Sequence, residues 1–191
     1  NKKMIKGDSS EYELLEKWTR TLPLTAGQKV VTVEIGVREG LGSKIIMDAI
    51  HLRGFTDYKH MGIDPYGNLN YQHYDTSPSY TADYTESMRL TLQKDLSDYE
   101  CFDLFHMTDT EFMSRYQDLK KFNLVHFDGP HMTRDVAQEI MYFAPRADRQ
   151  AHFIFDDHPT YDMKYLSTML GWYGFMEHES GTHKVCYRRT Y

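Results

Sequence analysis

The chain has 191 residues, 26% charged and 40% hydrophobic, with a formal net charge of −6. That length suits a single soluble domain with a sizeable core, here 1–191; the acidic balance argues against general nucleic-acid binding, which needs a basic face, and no apolar run approaches the roughly 20 residues of a membrane span. Cys101 and Cys186 fall in or beside separate strand-like runs and read as reduced thiols, and residues 1–6 lack a signal-peptide core, so the expected location is the cytoplasm.

In chain order, residues 1–27 form an N-terminal helical segment. Within it Tyr12, Leu14, Leu15 and Trp18 give residues 9–22 the spacing of an amphipathic helix, started by Ser9 or Ser10 and ended by Pro23. A β-rich run, Val30–Ile35, is followed at once by a helical pattern at Leu41–Leu52. A second strand, Tyr58–Ile63, stops at Asp64-Pro65, because proline can continue neither a ladder nor a helix interior. Residues 65–80 are a long, aromatic, turn-rich loop, read as a lid or binding loop. Residues 84–96 look helical, 102–107 extended, and Asp109 or Thr110 caps a short helix. A fourth strand, Phe122–Phe127, reaches Asp128-Gly129; a helix follows at Thr133–Phe143; a fifth strand, 153–155, ends in Asp156-Asp157; residues 161–170 are helical. Residues 175–179 and 184–188 flank Gly181-Thr182 as a closing β-hairpin. Strands alternating with helices predict a parallel sheet covered on both faces. A first residue of Asn rather than Met implies a trimmed or partial chain.

Ligands of open α/β sheets bind outside the carboxyl ends of the strands. This chain puts acids or glycines at those ends: Glu34-Ile35-Gly36, Asp64, Thr108-Asp109, Asp128-Gly129 and Asp156-Asp157. Each taken singly also reads as a helix cap or a solvated loop acid. A carboxylate at Asp64 suits a vicinal diol, because it offers two acceptor oxygens. The spacing Glu34-x-Gly36-x-x-x-Gly40 is neither the Gly-x-Gly-x-x-Gly of dinucleotide binders nor a phosphate-binding loop. His126, inside an apolar strand, reads as a hydrogen-bonded core residue.

The turn at residues 34–40 resembles the first motif of class I S-adenosylmethionine-dependent methyltransferases. The segments Asn-Leu-Val-His-Phe-Asp-Gly-Pro-His (residues 123–131), Arg134-Asp135 and Phe-Ile-Phe-Asp-Asp (153–157) resemble the methyltransferase-24 type, with relatives among catechol and sugar O-methyltransferases. The match in layout spans nearly the whole chain. It implies a doubly wound, Rossmann-like α/β fold with a seven-stranded sheet and a C-terminal antiparallel hairpin. It also implies S-adenosylmethionine as cofactor. Val37, Gly40 and Ser43 would then face its methionine part, Asp64 its ribose and Thr108-Asp109 its adenine, with Glu34, Gly36 and Asp128 completing the site. Metal-dependent members hold Mg²⁺ with one acid of the fourth strand and the pair from the fifth, here Asp128, Asp156 and Asp157. Two departures stand out. Gly42-Ser43 is one position off the commoner Gly-x-Ser, and Pro130 occupies the place of a second Asp that sometimes serves as the base, which leaves His131 or His158 as proton acceptor. Tyr71, Tyr74 and Tyr80, with His73, either close over the acceptor or pack the loop onto the sheet edge.

The implied activity is O-methylation of a small molecule assisted by a divalent cation, with no nucleic-acid or membrane partner. A metal-independent methyltransferase, a non-catalytic cofactor-binding domain and, against the glycine spacing, a nicotinamide-dependent oxidoreductase are the alternatives. The N-terminal helix and the tyrosines leave room for a homodimer.

Overall fold

Strands buried on both faces read as largely apolar runs, and Val30–Ile35 (β1), Tyr58–Ile63 (β2) and Phe122–Phe127 (β6) are buried along nearly their whole length with a few polar residues set among them. In the computed structural model, which describes residues 4–67, 69–81 and 83–191 apart from the Tyr80 side chain, these strands lie at the centre of a seven-stranded sheet. The others are Phe102–Phe105 (β5), Ala147–Phe155 (β7), Phe175–Ser180 (β8) and Val185–Arg189 (β9), in the order β5-β2-β1-β6-β7-β9-β8. Pairing is parallel as far as β7, and β9 and β8 close the sheet antiparallel. Among the described residues six α-helices accompany the strands: Tyr12–Arg20 (α1), Leu41–Leu52 (α2), Glu86–Asp95 (α3), Asp109–Arg115 (α4), Thr133–Phe143 (α5) and Met163–Trp172 (α6). This is the α/β Rossmann-like arrangement expected from the alternation. Strand order reverses between β1 and β6, the switch point at which such sheets leave a crevice.

The two-residue period of the strands sorts side chains between two cores. Val31, Val33, Ile35, Val125, Phe127, Phe153 and Phe155 pack with Phe112 of α4, Val136, Ile140 and Phe143 of α5, and Leu166 and Leu170 of α6. On the other face Val30, Leu124, Ile154 and Cys186 pack with Leu15, Trp18, Ile46, Ile50 and Leu92 from α1, α2 and α3. That second face also carries the polar residues Thr32, Glu34, His60, His126 and Lys184, all buried.

Several boundaries differ from the sequence-based expectation for local reasons. α1 starts at Tyr12 because Glu11 adopts a left-handed conformation (φ 53°) and uses its carboxylate elsewhere. That carboxylate accepts from the backbone N–H of Thr182 (2.6 Å), His183 (3.0 Å) and Lys184 (2.9 Å), tying α1 to the β8–β9 turn. The cap of α4 is Thr108, neither Asp109 nor Thr110: its hydroxyl accepts from the Glu111 N–H while Glu111 accepts from the Thr108 N–H. β7 begins six residues earlier than its apolar run, with exposed Arg149 and Gln150 in its first half. The 65–80 loop contains a short antiparallel hairpin, Asn70–Gln72 (β3) with Ser79–Thr81 (β4). Cys101 and Cys186 are free thiols, and among the described residues no helix is long and apolar enough to cross a membrane.

Candidate active site

The β1–α2 turn is built around Gly36 (φ 84°) and Gly40 (φ 98°). A Cβ on Gly36 would lie 2.1 Å from the Asp128 carbonyl oxygen, so only glycine lets the β1–α2 and β6–α5 loops touch. Beside this contact opens a cleft of about 460 Å³, within the range of small-molecule sites. Gly36, Asp64, Thr108 and Asp109 line it from the strand ends, Gly129 and Pro130 from the β6–α5 loop, and Tyr71 from the β3–β4 hairpin. Asp64, buried, accepts from the backbone N–H of Arg38 and of Tyr66, both at 2.9 Å. Burial pushes its carboxyl up, and those amides draw it back only in part. The Tyr66 hydroxyl donates to the Arg38 carbonyl (2.6 Å), and the Arg38 guanidinium lies 4.8 Å from the Tyr84 ring centroid and donates to Asp8 (2.8 Å).

Behind the cleft, the even-numbered positions of adjacent strands form one buried polar row. Thr32 joins the Tyr58 hydroxyl and His60 Nδ1, each at 2.7 Å, and His60 Nε2 meets the Ser43 hydroxyl at 2.8 Å. Ser43 donates to Glu34 Oε1 (2.8 Å), and Glu34 Oε2 pairs with His126 Nδ1 (2.7 Å). His126 Nε2 meets Lys184 Nζ at 3.1 Å, and Lys184 donates to Asp156 Oδ1 at 2.7 Å and to Ser9 at 3.0 Å. Burial lowers His60 to about 4; burial, then the Lys184 ammonium, lowers His126 despite the opposing pull of Glu34.

The row ends in a cluster of acids around His131 at the ends of β6 and β7. Asp128 is 5%, His131 1% and Asp156 3% exposed. Burial, and then the Asp156 charge beside it, pushes Asp128 well above the usual carboxylate range. Burial would raise Asp156 too, but Asp128 and the Lys184 ammonium together hold it below that range. Asp157, itself left-handed (φ 53°) and partly exposed, reaches within 3.4 Å of His131 Nε2 and accepts from the Tyr74 hydroxyl at 3.4 Å. The β3–β4 hairpin is tied to this cluster: the backbone N–H of His131 donates to the His73 carbonyl (3.0 Å), that of Thr133 to Asp75 (2.9 Å), and the Tyr74 ring stacks 5.7 Å from His131.

Residues 33–158 match the model of a methyltransferase domain family, the methyltransferase-24 type. The chain belongs to that family. It is an S-adenosylmethionine-dependent methyltransferase. Solved structures similar in fold include the O-methyltransferase NovP (10% identity, covering 94% of this chain and 79% of that one, TM-score 0.69) and the calicheamicin methyltransferase CalS11 (13%, 93% and 76%, 0.66). Another is the O-methyltransferase TomG from Streptomyces achromogenes in complex with S-adenosylmethionine (11%, 98% and 82%, 0.62). A comparison with curated protein sequences returns no match.

Within this methyltransferase, the residues singled out in the sequence divide into separate groups. Gly36, Asp64, Thr108 and Asp109 share the cleft. Glu34 and Ser43 lie in the polar row, where a Cβ on Gly42 would come within 2.1 Å of Glu34 Oε2; they underpin the turn and are not among the cleft-lining residues. Val37 packs over Gly62, and Gly40 faces Leu92, so both shape the turn from behind. Asp128, His131 and Asp156 converge, with Asp157 at their edge. His158 is held elsewhere, its Nε2 on the Gly181 carbonyl at 2.9 Å. Tyr71 lines the cleft and Tyr74 docks on His131, whereas the Tyr80 side chain lies outside the described residues. Sequence reasoning missed Lys184. A lysine at the start of an edge-like hairpin strand reads as solvated, and only the order β7-β9-β8 brings it under Asp156.

Proposed function

We propose that this methyltransferase acts on a hydroxyl oxygen of a small molecule, with a divalent cation assisting at the ends of β6 and β7. The observation that carries the reading is that one loop serves both the cleft and the acidic cluster. Gly129 and Pro130 line the cleft while Asp128 and His131, on either side of them, belong to the cluster. A donor in the cleft and an acceptor over the cluster would be neighbours. Methyl transfer from a sulfonium is a direct displacement, so the protein has mainly to align two groups and receive one proton.

In this reading Asp64 holds the ribose diol, Thr108 and Asp109 flank the adenine, and the Gly36–Gly40 turn backs the methionine part. The polar row through Glu34 and Ser43 keeps that turn rigid. The donor set suits a divalent ion: Asp128 Oδ1 is buried with no hydrogen-bond partner among the described residues, and it faces further ligand atoms. Asp128 and Asp156, with Asp157 beside them, would hold the ion. Such an ion supplies a lowered pKa for the acceptor hydroxyl. A base beside the ion takes the acceptor proton, and the lid hairpin with Tyr71 and Tyr74 excludes water. His131 reaches this chemistry; His158, engaged with Gly181, does not.

A metal-independent transfer has one observation in its favour, since the Lys184 ammonium already neutralises Asp156. Incubation with methyl-labelled S-adenosylmethionine and a panel of phenols, catechols and sugar hydroxyls decides between the two. The expected result is ether formation that a chelator suppresses. Transfer indifferent to the chelator supports the second reading; cofactor binding without turnover on any acceptor overturns both.

A further inference from the structure

His131 stands at the end of the Asp128-Gly129-Pro130-His131 turn, and its two ring nitrogens have different surroundings. Nδ1 shares a hydrogen bond with the Tyr161 hydroxyl. Nε2 points into the cluster, 3.4 Å from Asp157 Oδ2 and 3.8 Å from both Asp128 Oδ1 and Asp156 Oδ2. Those distances exceed or sit at the limit of a hydrogen bond. Asp128 Oδ1 has no hydrogen-bond partner among the described residues, and Asp156 has its other oxygen on Lys184. A ring nitrogen and carboxylate oxygens therefore converge on a common gap, at distances longer than good hydrogen bonds. Ligands bound tetrahedrally at about 2.1 Å from one ion lie about 3.4 Å apart, and one donor atom each from Asp128, His131 and Asp156 falls within 4.8 Å of the others.

We propose that His131 Nε2, Asp128 and Asp156 form the inner ligands of a divalent metal centre, and that the nitrogen donor makes it prefer a transition ion such as Zn²⁺ or Co²⁺ to Mg²⁺. The proposal rests on the cation-assisted reading above and differs from the all-carboxylate set that the family resemblance implies. The pair ending the fifth strand differs in its partners: Asp156 is buried and held by Lys184, while Asp157, although 3.4 Å from His131 Nε2, is partly exposed, accepts from Tyr74 and lies 3.7 Å from His183. Mg²⁺ demands hard oxygen ligands and octahedral geometry, whereas imidazole suits Zn²⁺ and its neighbours. Tyr161 supplies the outer hydrogen bond that orients a ligating imidazole. With Nε2 on the ion, His131 has no lone pair left for a proton, so it is a ligand and the base lies elsewhere.

The test uses the purified chain after chelator treatment, titrated calorimetrically with Mg²⁺, Zn²⁺ and Co²⁺, with the visible absorption of Co²⁺ read in parallel. The expected result is Co²⁺ and Zn²⁺ binding at least about tenfold tighter than Mg²⁺. His131→Gln should weaken Co²⁺ about tenfold or more and change its absorption band, while Asp157→Asn leaves both within a factor of about three. Mg²⁺ bound as tightly as Co²⁺ overturns the proposal, as does a site that Asp157→Asn abolishes and His131→Gln leaves intact. S-adenosylmethionine affinity, measured on the same samples, keeps the outcomes apart. Cofactor binding without any metal binding sinks the metal centre alone; loss of both in the unmodified chain sinks the underlying reading as well. Because metal preference is read on the unmodified chain, a His131→Gln protein that fails to fold still leaves a decision.

Discussion

Gly36 and Lys184 show how much single residues decide here. Alanine at position 36 must hold φ near 84° and place a methyl 2.1 Å from the Asp128 carbonyl oxygen. The left-handed conformation alone costs about 1 kcal/mol, and relief of the clash pushes the β1–α2 and β6–α5 loops apart. Gly36→Ala should therefore weaken S-adenosylmethionine at least about tenfold in calorimetry, with a lowered Tm. Lys184 is fully buried between His126, Ser9 and Asp156. Removing one member of a buried pair strands the other charge, at a cost of about 3–5 kcal/mol. Lys184→Met should lower the urea unfolding free energy by that order at pH 7. His60 contributes a pH dependence in the same row, beside His126. Burial depresses it from 6.5 to about 4, so the unfolded chain binds the extra proton first, and the stability His60 contributes is complete above pH 6.5 and lost as pH falls to about 4. Up to about 3 kcal/mol rides on that window. Urea titrations at pH 7 and pH 5 should show a smaller loss in His60→Gln than in the parent protein.

At the scale of elements, the ends carry more information than the interiors. The interiors of β1, β2, β6, α2 and α5 follow directly from local sequence: β-branched and aromatic runs, then apolar residues at helical spacing. The ends depend on partners distant in the chain. Ser9 and Ser10 are good cap residues, yet α1 starts at Tyr12 because Glu11 is drawn to the amides of Thr182, His183 and Lys184. Those are charge-assisted bonds across more than 170 residues of chain. Glu11→Ala should cost about 1–2 kcal/mol and expose the amides at 182–184 to hydrogen exchange, leaving the centre of the sheet protected. The β3–β4 hairpin is the same lesson in reverse. Its composition announces turns, and its docking through His73, Tyr74 and Asp75 onto the β6–α5 loop could not be read from periodicity.

For the whole molecule, a cofactor that binds the native state alone raises stability by mass action. Saturation at one hundred times Kd is worth about 2.7 kcal/mol. S-adenosylmethionine should therefore raise Tm, and NAD⁺ at the same concentration should not; the reverse result in thermal melts would overturn the donor assignment. The sequence by itself determined the α/β class, the strand-turn-helix around Gly36 and the line of acids at the strand ends, because these follow from local periodicity and from the fixed polarity of βαβ units. It could not determine which acids meet. Tertiary structure sent Glu34 and Ser43 into a buried row, brought Lys184 beneath Asp156 and brought His131 beside Asp128 and Asp156. The reason is the sheet order β1-β6-β7-β9: it brings alternate residues of strands far apart in sequence side by side, and that adjacency is written in no single segment.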